Sequence, residues 1–295
     1  MLLAAVAGTA GAGPIIIPNA SFESPTTMFV NTHIDSWQKP PKPDWYVESG
    51  GYTWDQLAGL FTNTPVTSFD HIDNLDGGQA AYMFAIPEVG LFQDYDSTDW
   101  SNTVPTHAFN ALYTVGRSYQ LTVGVIGGGG NMMPGATLQL SLYYRDLASN
   151  LVTVAAISIS NTPAVFSNTT HMVDFQVTTP AVKTSDAWAN RHIGVSLLST
   201  VSTNLEGGYW DLDNVRLRES RRLALAGPAW TNGRFSFTLE SDPGLRFQIL
   251  AGTNLLTPLA AWATLATVTN VTGSVVFTDS AATPARRFYQ ARQLP

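Results

Sequence analysis

The sequence predicts an all-β protein, a larger β-sandwich followed by a small second β-sandwich, and three observations carry that prediction. Apolar residues recur at every second position in short runs. Gly, Pro, Asn, Ser and Thr fill the gaps between the runs, which is turn chemistry. No amphipathic helical stretch exceeds about ten residues, so the apolar faces must pack sheet on sheet.

Taken in order, Tyr119, Leu121, Val123 and Val125 alternate with Gln120, Thr122 and Gly124. Leu138, Leu140, Leu142 and Tyr144 repeat the pattern, as do Val173, Phe175, Val177 and then Ile193, Val195, Leu197. Each run reads as a strand with one face toward a core. The alternation restarts after Glu219-Ser220-Arg221-Arg222 and the loop Ala226-Gly227-Pro228. Beyond it lie Phe235/Phe237/Leu239, Leu245/Phe247/Ile249, Trp262–Val268, Val275–Phe277 and Phe288–Ala291. The expected organisation is therefore 1–13 as a leader or loose N-terminus, 14–222 as the large sandwich and 223–295 as the small one. Phe235, Phe237, Phe247, Ile249, Trp262 and Phe277 are the expected core of the small one.

Composition bounds the function. The 295 residues are 44% hydrophobic and 13% charged, which excludes disorder and coiled coils. A net charge of −7 has the wrong sign for nucleic acid. From residue 224 onward five arginines face three acids, so the acidity belongs to the first domain. With no cysteine, thiol catalysis, iron–sulfur clusters, thiolate zinc sites and disulfides are excluded. Met1–Gly13 is apolar and small, and Ala10-Gly11-Ala12 suits a cleavage site; it reads as the tail of a signal peptide that starts upstream, making the protein secreted or surface-bound. No apolar run reaches the ~18 residues of a membrane span.

Nucleophile elbows, zinc-protease helices and phosphate-binding glycine loops are absent from the sequence. Gly127–Gly130 reads as a flexible loop, and the five histidines show no ligand spacing. Asp70, Asp73 and Asp76, like Asp94, Asp96 and Asp99, read as solvated acidic turns ahead of calcium loops. Two segments look paired: Ile17-Pro18-Asn19-Ala20-Ser21-Phe22-Glu23 and Tyr209-Trp210-Asp211-Leu212-Asp213-Asn214-Val215-Arg216-Leu217. Apolar parity flips across Asp213-Asn214, the mark of a bulge carrying a carboxylate. Calcium wants several hard oxygens, so Asn19, Glu23 and Asp213 are the candidate ligands of a structural Ca²⁺.

These two segments resemble the start and end of jelly-roll carbohydrate-binding modules, in which the Glu and the late Asp help hold calcium. With Gly77-Gly78-Gln79-Ala80-Ala81-Tyr82 and Gly90-Leu91-Phe92-Gln93, they also resemble the Stig cyclases, which share the jelly roll. That second resemblance implies Asp211 as a general acid and Tyr82 as a pocket residue. The C-terminal segment, with Gln248–Leu255, Trp262 and Arg287-Phe288-Tyr289, resembles β-modules of exported proteins from bacteria of the Verrucomicrobia type.

Trp37, Trp45, Tyr46, Tyr52 and Trp54 crowd a Pro- and Gly-rich stretch, and Trp100 sits in a second loop. Such rings either plug the sandwich edge or stack on a flat ligand such as a sugar. The leading expectation is a non-catalytic exported protein that binds a polysaccharide or cell-surface glycan and carries a structural calcium. The alternatives are a cyclase-type enzyme using Asp211, or a purely structural surface protein.

Overall fold

A computed structural model of the chain describes residues 2–3, 13–48, 51–98, 103–221, 223–282 and 287–294. Most of the segment read as a leader, and also Asp99 and Trp100, lie outside the described residues. In chain order the strands are β1 (Leu2–Leu3), β2 (Gly13–Ile15), β3 (Val30–Asn31), β4 (Ala58–Thr62), β5 (Gln79–Phe84), β6 (Gly90–Gln93), β7 (Arg117–Gly129), β8 (Thr137–Arg145), β9 (Leu151–Ser160), β10 (Val173–Thr178), β11 (Gly194–Ser199), β12 (Tyr209–Arg221), β13 (Ala224–Thr231), β14 (Arg234–Glu240), β15 (Arg246–Gly252), β16 (Ala263–Thr269), β17 (Ser274–Asp279) and β18 (Phe288–Gln293). The fold is all-β with open sheets. The chain divides into a larger unit, Pro14–Thr114 with Tyr119–Leu217, and a smaller one, Met1–Gly13, Val115–Ser118 and Arg218–Pro295.

In the larger unit one sheet runs β10-β7-β12-β5-β4-β3 with β2 on β12, and the other runs β6-β11-β8-β9. Period-2 alternation sends Leu121, Val123 and Val125 of β7, Leu138, Leu140 and Leu142 of β8, and Trp210 and Leu212 of β12 into one shared core. Each such side chain contributes roughly 1.5–3 kcal/mol when fully buried. The outer face of the β7-β12-β5-β4 region carries a second, small apolar cluster of Ile72, Ala80, Ile126 and Met172, with Phe61 and Leu75 against it. Both faces of that sheet are therefore partly dry, and the outer one is where a side chain can be buried without joining the core.

Trp210, the second residue of β12, lies wholly buried. Truncating it to Ala is expected to cost about 3–5 kcal/mol, whereas Trp210→Phe, which keeps most of the ring packing, should cost far less. Thermal melts of the two variants check this.

The smaller unit pairs a β1-β18-β15-β16 sheet with a β13-β14-β17 sheet. Phe235, Phe237, Phe247 and Ile249 form its core and Phe277 packs on it. Trp262 departs from expectation: it joins Leu250 and Phe288 in a separate cluster, because Leu250 and Ile249 are neighbours in β15 and point to opposite faces. Gly127–Gly130 is also corrected in part, since β7 runs through Gly129: Gly127, Gly128 and Gly129 are strand, and Gly130 begins the turn that follows.

Candidate active site

Strand β12 bends where the parity flip placed it. Asn214 adopts a left-handed φ of 56°, and burial shifts from Trp210 and Leu212 to Asp213, Val215 and Leu217. Upstream of the bend, Tyr209 and Asp211 share the outer face by alternation. Antiparallel pairing sets Asp211 directly opposite Tyr82 of β5 and Tyr209 opposite Phe84. Facing residues in such a pair bring their side chains together.

The rings confirm one contiguous wall. Phe84 is the hub: its centroid lies 5.1 Å from Tyr52, 6.1 Å from Tyr82 and 6.3 Å from Tyr209. Tyr82 lies across β4 because its partner there is Gly59. A methyl carbon at Gly59 would sit 2.6 Å from the Tyr82 hydroxyl and 2.5 Å from the Asn31 carbonyl. The Tyr82 hydroxyl donates to the Gln56 carbonyl at 3.2 Å. Burial, reinforced by the Asp55 carboxylate, pushes that phenol up to about 12, so it stays neutral at any ordinary pH. Gly59→Ala is expected to displace the Tyr82 ring, quenching or shifting its NMR contacts to Phe84 while leaving the core melt within ~1–3 kcal/mol of the parent.

Asp211 is half-buried and stands opposite Tyr82 in the strand pairing. Desolvation alone raises its pKa to about 7. The group is therefore a carboxylic acid that titrates near neutral pH rather than a permanent carboxylate, set beside aromatic rings. A separate cleft of about 410 Å³ lies between Trp37, Pro40, Pro41, Lys42, Glu48 and Trp54. Lys39 in that cleft is bound to the Thr32 carbonyl at 2.7 Å and the Asp55 carboxylate at 2.9 Å.

The loop aromatics divide accordingly. Trp37 is core, packed 5.2 Å from Phe22 with its indole N–H donated to the Asn19 carbonyl. Trp54 is buried, with Tyr46 and Trp45 edge-on to it at 5.1 and 6.3 Å. Tyr52 is exposed and reaches Phe84, so it belongs to the wall beside Asp211. The residues that sequence reasoning missed are Phe84 and Tyr209. Their signal was present: Tyr82 with Phe84, and Tyr209 with Asp211, each lie two apart on a strand.

The HpiC1-like family model, described as HpiC1 cyclase, matches residues 13–218. The chain belongs to this cyclase family. A cyclase from Fischerella sp. TAU superposes on it with a TM-score of 0.51 at 21% identity, over 71% of this chain and 98% of that one. A Fischerella sp. TAU cyclase solved in complex with 4-(1H-indol-3-yl)butan-2-one is 22% identical over 75% of this chain and 100% of that one, with a TM-score of 0.47. A xylan-binding domain of Paenibacillus barcinonensis Xyn10C is 13% identical over 72% of this chain and 97% of that one, with a TM-score of 0.37. No curated protein matches the sequence. Among the described residues no helix is long and apolar enough to cross a membrane.

Membership in the HpiC1-like family overturns the leading expectation of a non-catalytic glycan-binding protein, and with it the leaning against an enzyme. The structural calcium is corrected too. Among the described residues no group of three or more His, Asp or Glu is placed to hold a metal ion. The three expected ligands have other partners. Glu23 Oε1 accepts the Gly78 and Gln79 amides at 2.9 and 2.7 Å. Asp213 Oδ2 accepts the Asp76 amide at 2.7 Å, and burial raises this carboxyl to about 7. The Asn19 side chain is held by Ser24 and the Asp35 carbonyl. These hydrogen bonds tie the first loop to the start of β5, and the turn before β5 to β12.

Proposed function

We propose that the larger unit is an acid-initiated cyclase in which Asp211 protonates an electron-rich, apolar aromatic substrate held by Tyr82, Phe84, Tyr209 and Tyr52. The single observation that carries this reading is a carboxyl of pKa about 7 placed directly opposite Tyr82 in an aromatic wall. A general acid works best with a pKa near the working pH, and an aromatic surround excludes the water that would compete for a cationic intermediate. In the step, the Asp211 proton forms a C–H bond at a carbon of the π-system. The resulting cation is attacked by a second π-bond, closing the ring, and loss of a ring proton to the carboxylate restores the acid.

The first half of that step can be read without knowing the natural substrate. Indole in D₂O exchanges its C3 proton for deuterium when an acid protonates that carbon and the conjugate base removes a proton. Proton NMR is expected to show exchange above the buffer rate, falling as pH rises through about 7. An exchange rate equal to buffer at every pH, with indole bound, would contradict the assignment.

A further inference from the structure

Tyr209 occupies an unusual seat. Gly128, next to last in β7, has a φ of +88°, and the two residues after it present no side chain to the Tyr209 ring. A methyl carbon at Gly129 would lie 2.6 Å from Cδ2 and 2.9 Å from Cζ, and one at Gly130 would lie 3.0 Å from Cε1 and 3.1 Å from Cδ1. The two glycines thus meet opposite edges of one ring, which lies across both. Cβ contacts under 3.0 Å, as at Gly129, essentially never occur in real proteins, so any other residue there forces the ring aside, whereas those at Gly130 are merely tight. The glycine run therefore does steric work that its sequence alone did not disclose.

The ring so held is the i−2 neighbour of Asp211 on the same face. Phe84 packs against it, and Tyr82 stands across from Asp211. Tyr82 and Phe84 bound the acid from β5; Tyr209 bounds it along β12. We propose that Tyr209, seated on Gly129 and Gly130, is a specificity-determining residue that fixes the plane of an aromatic substrate beside Asp211, with Gly129 as its positioning residue. This rests on the reading of Asp211 as the acid, and it assigns to the Tyr209 ring, rather than its hydroxyl, the contact with substrate.

The experiment is isothermal calorimetry with indole as the probe, run beside the C3 exchange assay. Stacking beyond area burial is worth about 0.5–1.5 kcal/mol, so losing the ring should weaken indole about threefold to tenfold. Tyr209→Ala is expected to show that loss, and Tyr209→Phe to bind as the parent does. Gly129→Ala, with the tyrosine present but displaced, should weaken indole comparably. The double variant should be no worse than Tyr209→Ala, since the added methyl then has no ring to strike. The pH midpoint of exchange should stay near 7 throughout. Parent-like indole binding by Tyr209→Ala, additive losses in the double variant, or no binding of indole by the parent would each overturn the proposal. If Gly129→Ala does not fold, the Tyr209→Ala and Tyr209→Phe pair still decides it. Failure of the acid reading looks different: indole binding would respond to Tyr209 while exchange ignored Asp211.

Discussion

Asp211→Asn is expected to lower the rate of deuterium transfer to indole by about 10²- to 10⁴-fold, the span that a positioned general acid contributes. Asn has nearly the same size and shape as Asp and accepts a hydrogen bond in the same direction, but it has no proton to transfer. The wall should survive the change, since Tyr82 is anchored by its own hydrogen bond to Gln56 and by the gap at Gly59. Indole affinity is accordingly expected to hold while the exchange rate collapses. A drop in affinity with little change in rate would mean that Asp211 binds rather than catalyses.

The same substitution should make the protein more stable, and only on one side of a pH boundary. The folded carboxyl titrates near 7, whereas an unfolded aspartate titrates near ~3.9. Below about pH 4 both states are protonated and the group costs nothing. Between about 4 and 7 the folded state holds the proton that the unfolded state has released, so stability falls as pH rises. Above about 7 the burial penalty is complete. Three pKa units correspond to about 4 kcal/mol, and the partial exposure of Asp211 reduces this to roughly 2–4 kcal/mol. The melting temperature of Asp211→Asn should thus match the parent at pH 4 and exceed it by about 4–12 °C at pH 8. Asp213, whose pKa is also raised to about 7, contributes equally to both proteins and cancels in the comparison. An equal shift at both pH values would show that the gain has nothing to do with ionisation. A functional group that destabilises its own fold is the usual mark of an active site.

Much of the architecture was legible because period-2 burial is local. Tyr119–Val125, Leu138–Tyr144 and Phe235–Leu239 each declare their buried face within seven residues, and they lie in β7, β8 and β14. The Asp213-Asn214 bend was legible for the same reason, since a parity flip is visible inside one strand. Cross-strand partners are not local. Nothing near Tyr209 in the chain announces Phe84, which reaches it only through the pairing of β12 with β5. The glycine run misled because flexibility and close approach call for the same residue. Glu23 and Asp213 misled because a carboxylate that receives backbone amides is identical, as a letter in a sequence, to one that receives calcium. Only the directions of the Gly78, Gln79 and Asp76 amides separate the two cases.

The most direct test of the account is the titration of the Asp211 carboxyl itself. In protein labelled with ¹³C at aspartate carboxyl carbons, the Asp211 resonance is identified by its loss in Asp211→Asn and followed from pH 4 to 9. The expected midpoint lies near 7 and moves with bound indole. A midpoint near ~4, that of a solvated aspartate, would contradict it, because a carboxyl already ionised at neutral pH has no proton to give.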